Sequence, residues 1–303
     1  MNISEKISLL LVDKGFNLSP NHKTEQLINE GSKLIKLSEE TLVAKQHGLA
    51  NKFFILLKGE AEFSKYQNNK LYKLATLKGN GIPLGVSGLN PPSRYMADIY
   101  IKGDSEYIEI DLTKLKEIES NDPAYASFLY SYFVLQSMNL IWSSRNLDKF
   151  FLNENNIISQ GVKTGGEIVN TKRIKDTAFL AFLNDQDLQK LIKYSTIRLY
   201  SANEYINTEG NLSDGITILL KGKVDATFTS KKNNKIVKNT RSIARSGVAL
   251  SLSAGLHNIQ YPYSIKATRD TTIIKFSNEF VDNLIKTDPE LALKFLKRQL
   301  WQL

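Results

Sequence analysis

The chain has no cysteine, and its 303 residues include only three histidines, His22, His47 and His257. The lack of cysteine excludes disulfides, thiolate metal ligands and cysteine nucleophiles. Because the histidines have no partner at ligand spacing, neither zinc binding nor histidine-based acid–base chemistry is predicted. No apolar run approaches the roughly 18–20 residues that span a bilayer, and the first residues, Met-Asn-Ile-Ser-Glu-Lys, lack the layout of a signal peptide. We therefore predict a cytoplasmic protein without a metal or a membrane partner.

Signatures of catalysis are missing as well. Paired carboxylates at useful spacing, a Ser–His arrangement and a phosphate loop with lysine do not occur in the sequence, so no enzymatic activity is predicted. Hydrophobic residues make up 42% of the chain and aromatic residues 10%. That content is enough to bury two cores, in domains of about 150 residues each.

The net charge of +9 favours anionic partners. Its densest part lies between Lys231 and Arg245, where Lys-Asn-Asn-Lys predicts the solvated tip of a hairpin. Binding of nucleic acid would also need a recognition helix or an aromatic stacking platform. The sequence shows neither.

One sequence pattern occurs twice in the chain. Residues 81–89 read G-I-P-L-G-V-S-G-L, and residues 247–256 read G-V-A-L-S-L-S-A-G-L, with one compensated insertion near residue 254. An offset of 166 positions relates Gly81 to Gly247, Ile108 to Ile274 and Pro123 to Pro289. Such a match over about forty residues indicates a tandem repeat. We predict a first domain at 1–150, a linker at 151–172 and a second domain at 173–303.

Each copy is predicted to be an antiparallel β unit with helices at its ends. Ala97–Ile101 and Tyr107–Asp111 alternate in the period-two manner of half-buried strands. A helical opening is predicted at about 22–36, and Pro123 suits the first turn of a second helix. The fold class is α+β and mainly β, with two jelly-roll-like β-rolls (double-stranded β-helices) of about eight short strands each.

The segment from Ser201 to Val224 carries a family resemblance. It reads Ser-Ala-Asn-Glu-Tyr-Ile-Asn-Thr-Glu-Gly-Asn-Leu-Ser-Asp-Gly-Ile-Thr-Ile-Leu-Leu-Lys-Gly-Lys-Val, and it resembles the front half of a cyclic-nucleotide-binding domain of the CRP-like sensor kind. The first copy is similar at Phe53-Phe-Ile-Leu-Leu-Lys-Gly-Glu-Ala. The resemblance covers about 35–145 and 175–303.

The resemblance implies a phosphate-binding cassette in the first copy. In that family a Phe-Gly-Glu-like start on a short helix is followed, eight to ten residues later, by an arginine. Backbone N–H groups and the arginine hold a phosphate, and the glutamate accepts from the ribose 2′-hydroxyl. Val86 occupies the glutamate position and has no hydrogen-bonding atom in its side chain. The implied ligand-binding residues are Gly85, Val86, Ser87, Gly88, Leu89 and Arg94. Arg94 has a plainer alternative, an ion pair with Asp98.

The second copy departs further from the family pattern. Its counterparts are Ser251, Leu252, Ser253 and Gln260, so both the glutamate and the arginine are missing. Gln260 can donate a neutral hydrogen bond but cannot offset the charge of a phosphate. We therefore predict that this copy is inactive.

Two functional hypotheses remain open. In the first, the chain is a non-catalytic regulator whose first domain senses a cyclic nucleotide or another phosphorylated small molecule. In the second, both domains are degenerate and serve as an interaction or structural adaptor. No cofactor is predicted, and a protein partner or homo-oligomer through the C-terminal helices is expected. Transcription factors that resemble this family carry a DNA-binding helix–turn–helix after the long helix, but this sequence reaches Leu303 inside that helix and shows no such module.

Overall fold

Two compact units make up the chain. The computed structural model describes residues 1–13, 15–68, 70–143, 162–163, 174, 177, 179–232, 235–252 and 259–302. Contacts between Cα atoms group Met1–Ser137 with Asp288–Leu303 in the first unit and Met138–Thr287 in the second. The predicted division at 150 and 173 follows the repeat instead of these contacts, and it remains a proposal.

The first unit contains two four-stranded antiparallel sheets. Its helices are α1 (Ile3–Val12), α2 (His22–Gly31), α3 (Leu112–Asn121) and α4 (Pro123–Ser143), the last of which crosses into the second unit at Met138. Its strands are β1 (Ser32–Leu37), β2 (Thr41–Ala44), β3 (Lys52–Lys58), β4 (Glu60–Gln67), β5 (Lys70–Lys78), β6 (Ile82–Leu84), β7 (Asp98–Ile101) and β8 (Ser105–Asp111). The strand orders are β1-β8-β3-β6 and β2-β7-β4-β5.

The second unit repeats this arrangement with one additional strand. Its strands are β9 (Val162–Lys163), β10 (Ser195–Tyr200), β11 (Tyr205–Asn207), β12 (Gly215–Lys221), β13 (Val224–Lys232), β14 (Lys235–Ile243), β15 (Ala249–Leu252), β16 (Ser264–Ala267) and β17 (Thr271–Ser277). Its helices are α5 (Asp185–Lys193) and α6 (Asn278–Thr287), and α7 (Pro289–Gln302) follows within the first unit. The orders β15-β12-β17-β10-β9 and β11-β16-β13-β14 match the first unit strand for strand, apart from β9.

Side-chain capping sets where the helices begin. The Asn2 side chain accepts from the N–H of Glu5 and forms a capping box with it. Asn21 and Asn184 cap α2 and α5 in the same way, at 2.9 Å and 2.7 Å from the backbone N–H groups they accept from. These bonds satisfy N–H groups that the first turn of a helix leaves without a partner.

Strand β3 is buried on both faces and joins the barrel core to the helices. Phe54 and Leu56 lie in the core between the two sheets of the first unit. The alternate residue Phe53 contacts Phe133 of α4, with ring centroids 4.6 Å apart. The Tyr132 hydroxyl, also on α4, donates to the carbonyl of Gly81. Helix α4 is therefore fixed to the loop that precedes β6.

The antiparallel sheets and flanking helices confirm the predicted fold class. The helical opening predicted at about 22–36 is wrong in its last third, because the helix ends at Gly31 and Ser32–Leu37 is β1. All six residues of β1 pair with β8. The apolar pattern of this segment is compatible with a helix or a strand, and the pairing stabilises the strand. Most of the predicted linker lies outside the described residues, apart from β9. No helix in the described part of the chain is long and apolar enough to cross a bilayer.

Candidate functional site: the cassette loops of the two repeats

The first cassette is a short turn after β6. Gly85 has a left-handed backbone (φ +79°) and precedes a single 3-10 turn, Val86–Leu89. A Cβ on Gly88 would lie 2.5 Å from the Cβ of Ala50, so this position accepts no larger residue without movement of the loop. Both glycines are thus required by the path of the backbone.

Arg94 lies beside this turn with its guanidinium exposed. Its Nη1 donates to the carbonyl oxygen of His47 at 2.6 Å, and its backbone forms an antiparallel bridge with Leu49. The alternative ion pair with Asp98 is not formed, because Asp98 instead accepts from the backbone N–H of Gln46 at 2.6 Å. Within the described residues Arg94 has no carboxylate partner, so its charge faces solvent.

The other cassette residues offer few polar groups. The Ser87 Oγ accepts from the backbone N–H of Met96 at 3.1 Å, which leaves its hydroxyl hydrogen to donate. Val86 is half-buried and presents only methyl groups. Leu89 is also half-buried and apolar. Arg94 is therefore the main charged group that this cassette can present to a ligand.

The second repeat reproduces the backbone around Arg94. The bond from His47 N to Tyr95 O (2.8 Å) corresponds to that from Gly210 N to Tyr261 O (3.0 Å). The bond from Ala50 N to Ser93 O and that from Ser213 N to Ile259 O are both 2.7 Å. The Leu49–Arg94 bridge corresponds to Leu212–Gln260. Gln260 therefore occupies the backbone position of Arg94, as the offset of 166 predicts.

The remaining second-copy residues are committed to the sheet or lie outside the described range. Ser251 is buried, and its Oγ donates to Gly215 O at 2.8 Å and accepts from Thr217 N at 3.1 Å. Leu252 is buried at the end of β15. Ser253 falls outside the described residues.

A polar cluster that the sequence did not indicate lies next to this second cassette. Asp214 accepts from the Tyr261 hydroxyl and pairs with the ammonium of Lys275. The Lys275 side chain is 12% exposed and that of Asp214 is 62% exposed. In the sequence Asp214-Gly215 indicates only a turn, and the equivalence of Tyr261 with Tyr95 is the one hint of a shared role. In the first repeat the Tyr95 hydroxyl donates to the Lys52 carbonyl instead, at 2.7 Å.

The charged groups in this cluster shift each other's pKa values. Burial raises the pKa of the Asp214 carboxyl, but the charge and hydrogen bond of Lys275 and the hydrogen bond from Tyr261 outweigh it, so that pKa is below its ordinary value. Burial lowers the pKa of Lys275, and the charge of Asp214 partly opposes this.

We expect Asp214→Asn to lower the free energy of unfolding by about 1 kcal/mol at pH 7, since the mostly exposed carboxylate screens the nearly buried Lys275 only in part. A group with a lowered folded pKa stabilises the fold above its ordinary pKa and loses that contribution as the pH falls. The wild-type chain should therefore lose more stability than the variant as the pH falls from about 5 to below 3.8, the ordinary pKa of the carboxyl, towards its lower pKa in the folded state. Urea unfolding across this range measures the difference.

The matched control is Asp104→Asn, which changes an exposed carboxylate in a turn of the first unit. Asparagine tolerates its positive φ of 56°. Equal acid sensitivity of wild type and Asp214→Asn would contradict the assigned role.

Metal binding finds no support in the part of the chain that the structure describes. No three His, Asp or Glu side chains come together there in a way that could hold an ion, and the sequence has no cysteine.

Comparison with known proteins agrees with this geometry for the second repeat. Residues 197–288 match the family model of the cyclic nucleotide-binding domain. The second repeat thus carries a cyclic nucleotide-binding domain, and the resemblance predicted from its sequence is confirmed. A search of the curated proteins gave no match.

Several solved structures are similar over one or both repeats. The regulatory domain of Toxoplasma gondii PKA with cAMP is 13% identical, with 96% of this chain and 95% of that chain covered and a TM-score of 0.34. A regulatory subunit of a cAMP-independent protein kinase A from Trypanosoma cruzi, bound to guanosine, is 14% identical over 96% and 86%, with a TM-score of 0.35. A cyclic nucleotide-binding domain from Methylobacillus flagellatus is 18% identical over 44% and 72%, with a TM-score of 0.38. At such values the likenesses support no conclusion on ligand or partner.

Proposed function

We propose that the chain is a non-catalytic regulatory protein whose first repeat binds a cyclic nucleotide or another phosphorylated small molecule, and whose second repeat does not. The observation that carries this proposal is the exposed guanidinium of Arg94, held beside the cassette turn by the His47 carbonyl. An arginine offers five N–H donors in a planar fork. One of them binds His47, and the others are available for a phosphate.

The second repeat supports the asymmetry. Gln260 stands where Arg94 stands in the first repeat, and a neutral amide cannot compensate a phosphate charge. The family match to this repeat describes its fold, and the Gln260 side chain argues against the ligand.

A second candidate function is an adaptor in which neither repeat binds a ligand. Val86 and Leu252 favour it, because each is apolar at the position where the family has a ribose acceptor. Helix α7 buries most of its apolar residues within the first unit, while Trp301 stays 49% exposed. A protein partner or second copy would meet this end of the helix.

Val86→Glu should strengthen binding of cyclic AMP about five- to a hundredfold. In the native chain the ribose 2′-hydroxyl would face a methyl group, at a cost of about 1–3 kcal/mol. Each 1.4 kcal/mol corresponds to a tenfold change in affinity. Isothermal titration calorimetry on the native chain and the variant measures both values, and we expect native binding of cyclic AMP to be weak or undetectable.

Two control variants test whether the gain in Val86→Glu comes from the new carboxylate and from its place in the first repeat. Val86→Leu keeps the site apolar and should bind like the native chain. Leu252→Glu places the same carboxylate in the second repeat, where we expect no gain because Gln260 supplies no charge. Submicromolar binding of cyclic AMP by the native chain would refute the argument from Val86, and silence with every nucleotide tested would favour the adaptor.

A further inference from the structure

Both repeats carry the same short motif on the hairpin between their fourth and fifth strands. It reads Asn-Asn-Lys-Leu-Tyr-Lys at residues 68–73 and Asn-Asn-Lys-Ile-Val-Lys at residues 233–238. The Asn-Asn pair suits a tight turn between strands. A turn does not require the apolar pair between two lysines that follows in each copy.

The hairpins extend beyond the sheets to which they belong. Strand β7 pairs with β4 at Ala61–Ser64, whereas the β4–β5 pairing continues to Gln67 and Lys70. Strand β16 pairs with β13 at Val224–Thr227, and the β13–β14 pairing continues to Lys232 and Lys235. At about 3.3 Å per residue the second hairpin projects roughly 16 Å past its neighbour.

A polar side chain braces the base of each projecting hairpin. The Gln46 amide oxygen accepts from the Tyr66 backbone N–H at 2.7 Å, and its Nε2 donates to the Tyr66 carbonyl at 3.3 Å. In the second repeat the Glu209 carboxylate accepts from the Thr229 N–H at 3.0 Å and from its hydroxyl at 2.8 Å. These bonds fix the direction of each hairpin as far as Tyr66 in the first repeat and Thr229 in the second.

The apolar pairs near the two tips face water. Leu71 is 56% exposed and Tyr72 is 47% exposed, while Ile236 is 60% exposed and Val237 is 37% exposed. Large apolar side chains beyond the edge of a sheet gain little from folding, so a gathering of them at a projecting tip indicates contact with another surface.

Lysines flank these apolar pairs in the sequence, as Lys70 and Lys73 in the first motif and Lys235 and Lys238 in the second. Between Asp225 and Asp270 the sequence has eight Lys or Arg residues and no Asp or Glu. Four of these eight, Lys231, Lys232, Lys235 and Lys238, belong to the projecting part of the second hairpin. At the base of the first hairpin Lys73 pairs with Glu62 and Lys78 with Glu60, at 2.6 Å and 3.3 Å. Strand β5, which begins with Lys70, contains no Asp or Glu, and neither does strand β14.

We propose that each hairpin tip, taken by itself, binds anionic phospholipid at a membrane surface. Lysines hold the headgroups, and the apolar pairs enter the interfacial layer, where tyrosine is also favoured. Nucleic acid is less well matched, because the second tip has no aromatic platform and its motif uses lysine in place of arginine. An acidic polypeptide would satisfy the lysines but leave the apolar pairs in water. The predicted lack of a membrane partner rests on spanning segments and does not address surface docking.

Vesicle co-sedimentation of the full chain, without nucleotide, tests the proposal. We expect binding to phosphatidylcholine vesicles containing about 30% phosphatidylserine and much weaker binding to phosphatidylcholine alone. With each lysine near such a surface adding a several-fold gain, Lys235→Gln with Lys238→Gln should weaken binding roughly thirtyfold. Leu71→Ser with Ile236→Ser should weaken it about tenfold.

The control variant is Leu9→Ser with Lys33→Gln, which removes an exposed apolar residue and a charge outside the hairpins and should bind like the native chain. Circular dichroism checks that each variant is folded. Equal binding to both vesicle types, no binding to either, or full binding by the hairpin variants would overturn the proposal. Tighter binding to a 30-base-pair duplex or to polyglutamate than to the anionic vesicles would also overturn it, in favour of that partner.

Discussion

Arg94→Ala is expected to lower the affinity for a phosphorylated nucleotide by at least a hundredfold. A guanidinium can make two charge-assisted hydrogen bonds to one phosphate, each contributing about 1.5–3 kcal/mol. The lower total of about 3 kcal/mol corresponds to roughly a 150-fold change. The free energy of unfolding should change by less than about 0.5 kcal/mol, because the side chain is exposed and makes one bond to a carbonyl.

Calorimetry with a panel of cyclic mono- and dinucleotides gives the affinities, and urea unfolding gives the stability. Arg94→Lys keeps the charge without the planar fork and should fall between the native chain and Arg94→Ala. Gln260→Ala is the matched change in the second repeat and should leave binding unaltered. Binding that survives in Arg94→Ala, or that disappears in Gln260→Ala, would show that the site is assigned to the wrong residues.

Phe133→Ala should lower the free energy of unfolding of the first unit by about 3–5 kcal/mol. Phe133 is fully buried, and its ring contacts those of Phe53, Tyr130 and Tyr132 at 4.6, 5.7 and 6.1 Å. Truncation removes an aromatic side chain from the seam between α4 and β3, and rigid strands on one side limit how far the cavity can collapse. This loss is a large fraction of the stability of an ordinary domain.

Guanidinium unfolding followed by circular dichroism and by tyrosine fluorescence measures the change. Phe182→Ala serves as the control, since Phe182 is 38% exposed in the second unit and its loss should cost less than about 1 kcal/mol. Phe133→Leu keeps most of the volume and should cost about 1–1.5 kcal/mol. A change below about 1 kcal/mol in Phe133→Ala would mean that α4 is not held to the barrel as described.

Some of the repeated elements were predictable because they carry a local signal. Period-two alternation predicts a strand at Tyr107–Asp111, within the observed Ser105–Asp111, and Pro123 predicts the start of α4. The boundary between α2 and β1 was not predictable, since Ser-Lys-Leu-Ile-Lys-Leu is compatible with a helix or a strand. Its pairing partner, β8, lies about seventy residues further along the chain. Sequence patterns report local preference, while strand pairing is decided by residues far along the chain.

The candidate site shows the same limit. The offset of 166 predicted from the sequence alone that Gln260 is the equivalent of Arg94, because the two repeats can be aligned with each other. The contact of Arg94 with the His47 carbonyl depends on the left-handed backbone of His47 itself, which lies in the loop after β2. The Asp214–Tyr261–Lys275 cluster joins three separate strands or loops, and single positions give no signal for it. Whether Arg94 and its neighbours bind a ligand remains a prediction.

The grouping of α7 with the first unit has a consequence for biosynthesis. Ser127 Oγ donates to the carbonyl of Pro289 at 3.2 Å, and Lys297 pairs with Glu119 at 2.7 Å. A ribosome must therefore add roughly 150 residues after Ser137 before the first unit can gain its last helix. At about 5–20 residues per second this takes on the order of 8–30 s. During that interval the groups on α3 and α4 that α7 contacts, Glu119, Ser127 and the Tyr130 ring, stay open to chaperones and to neighbouring nascent chains.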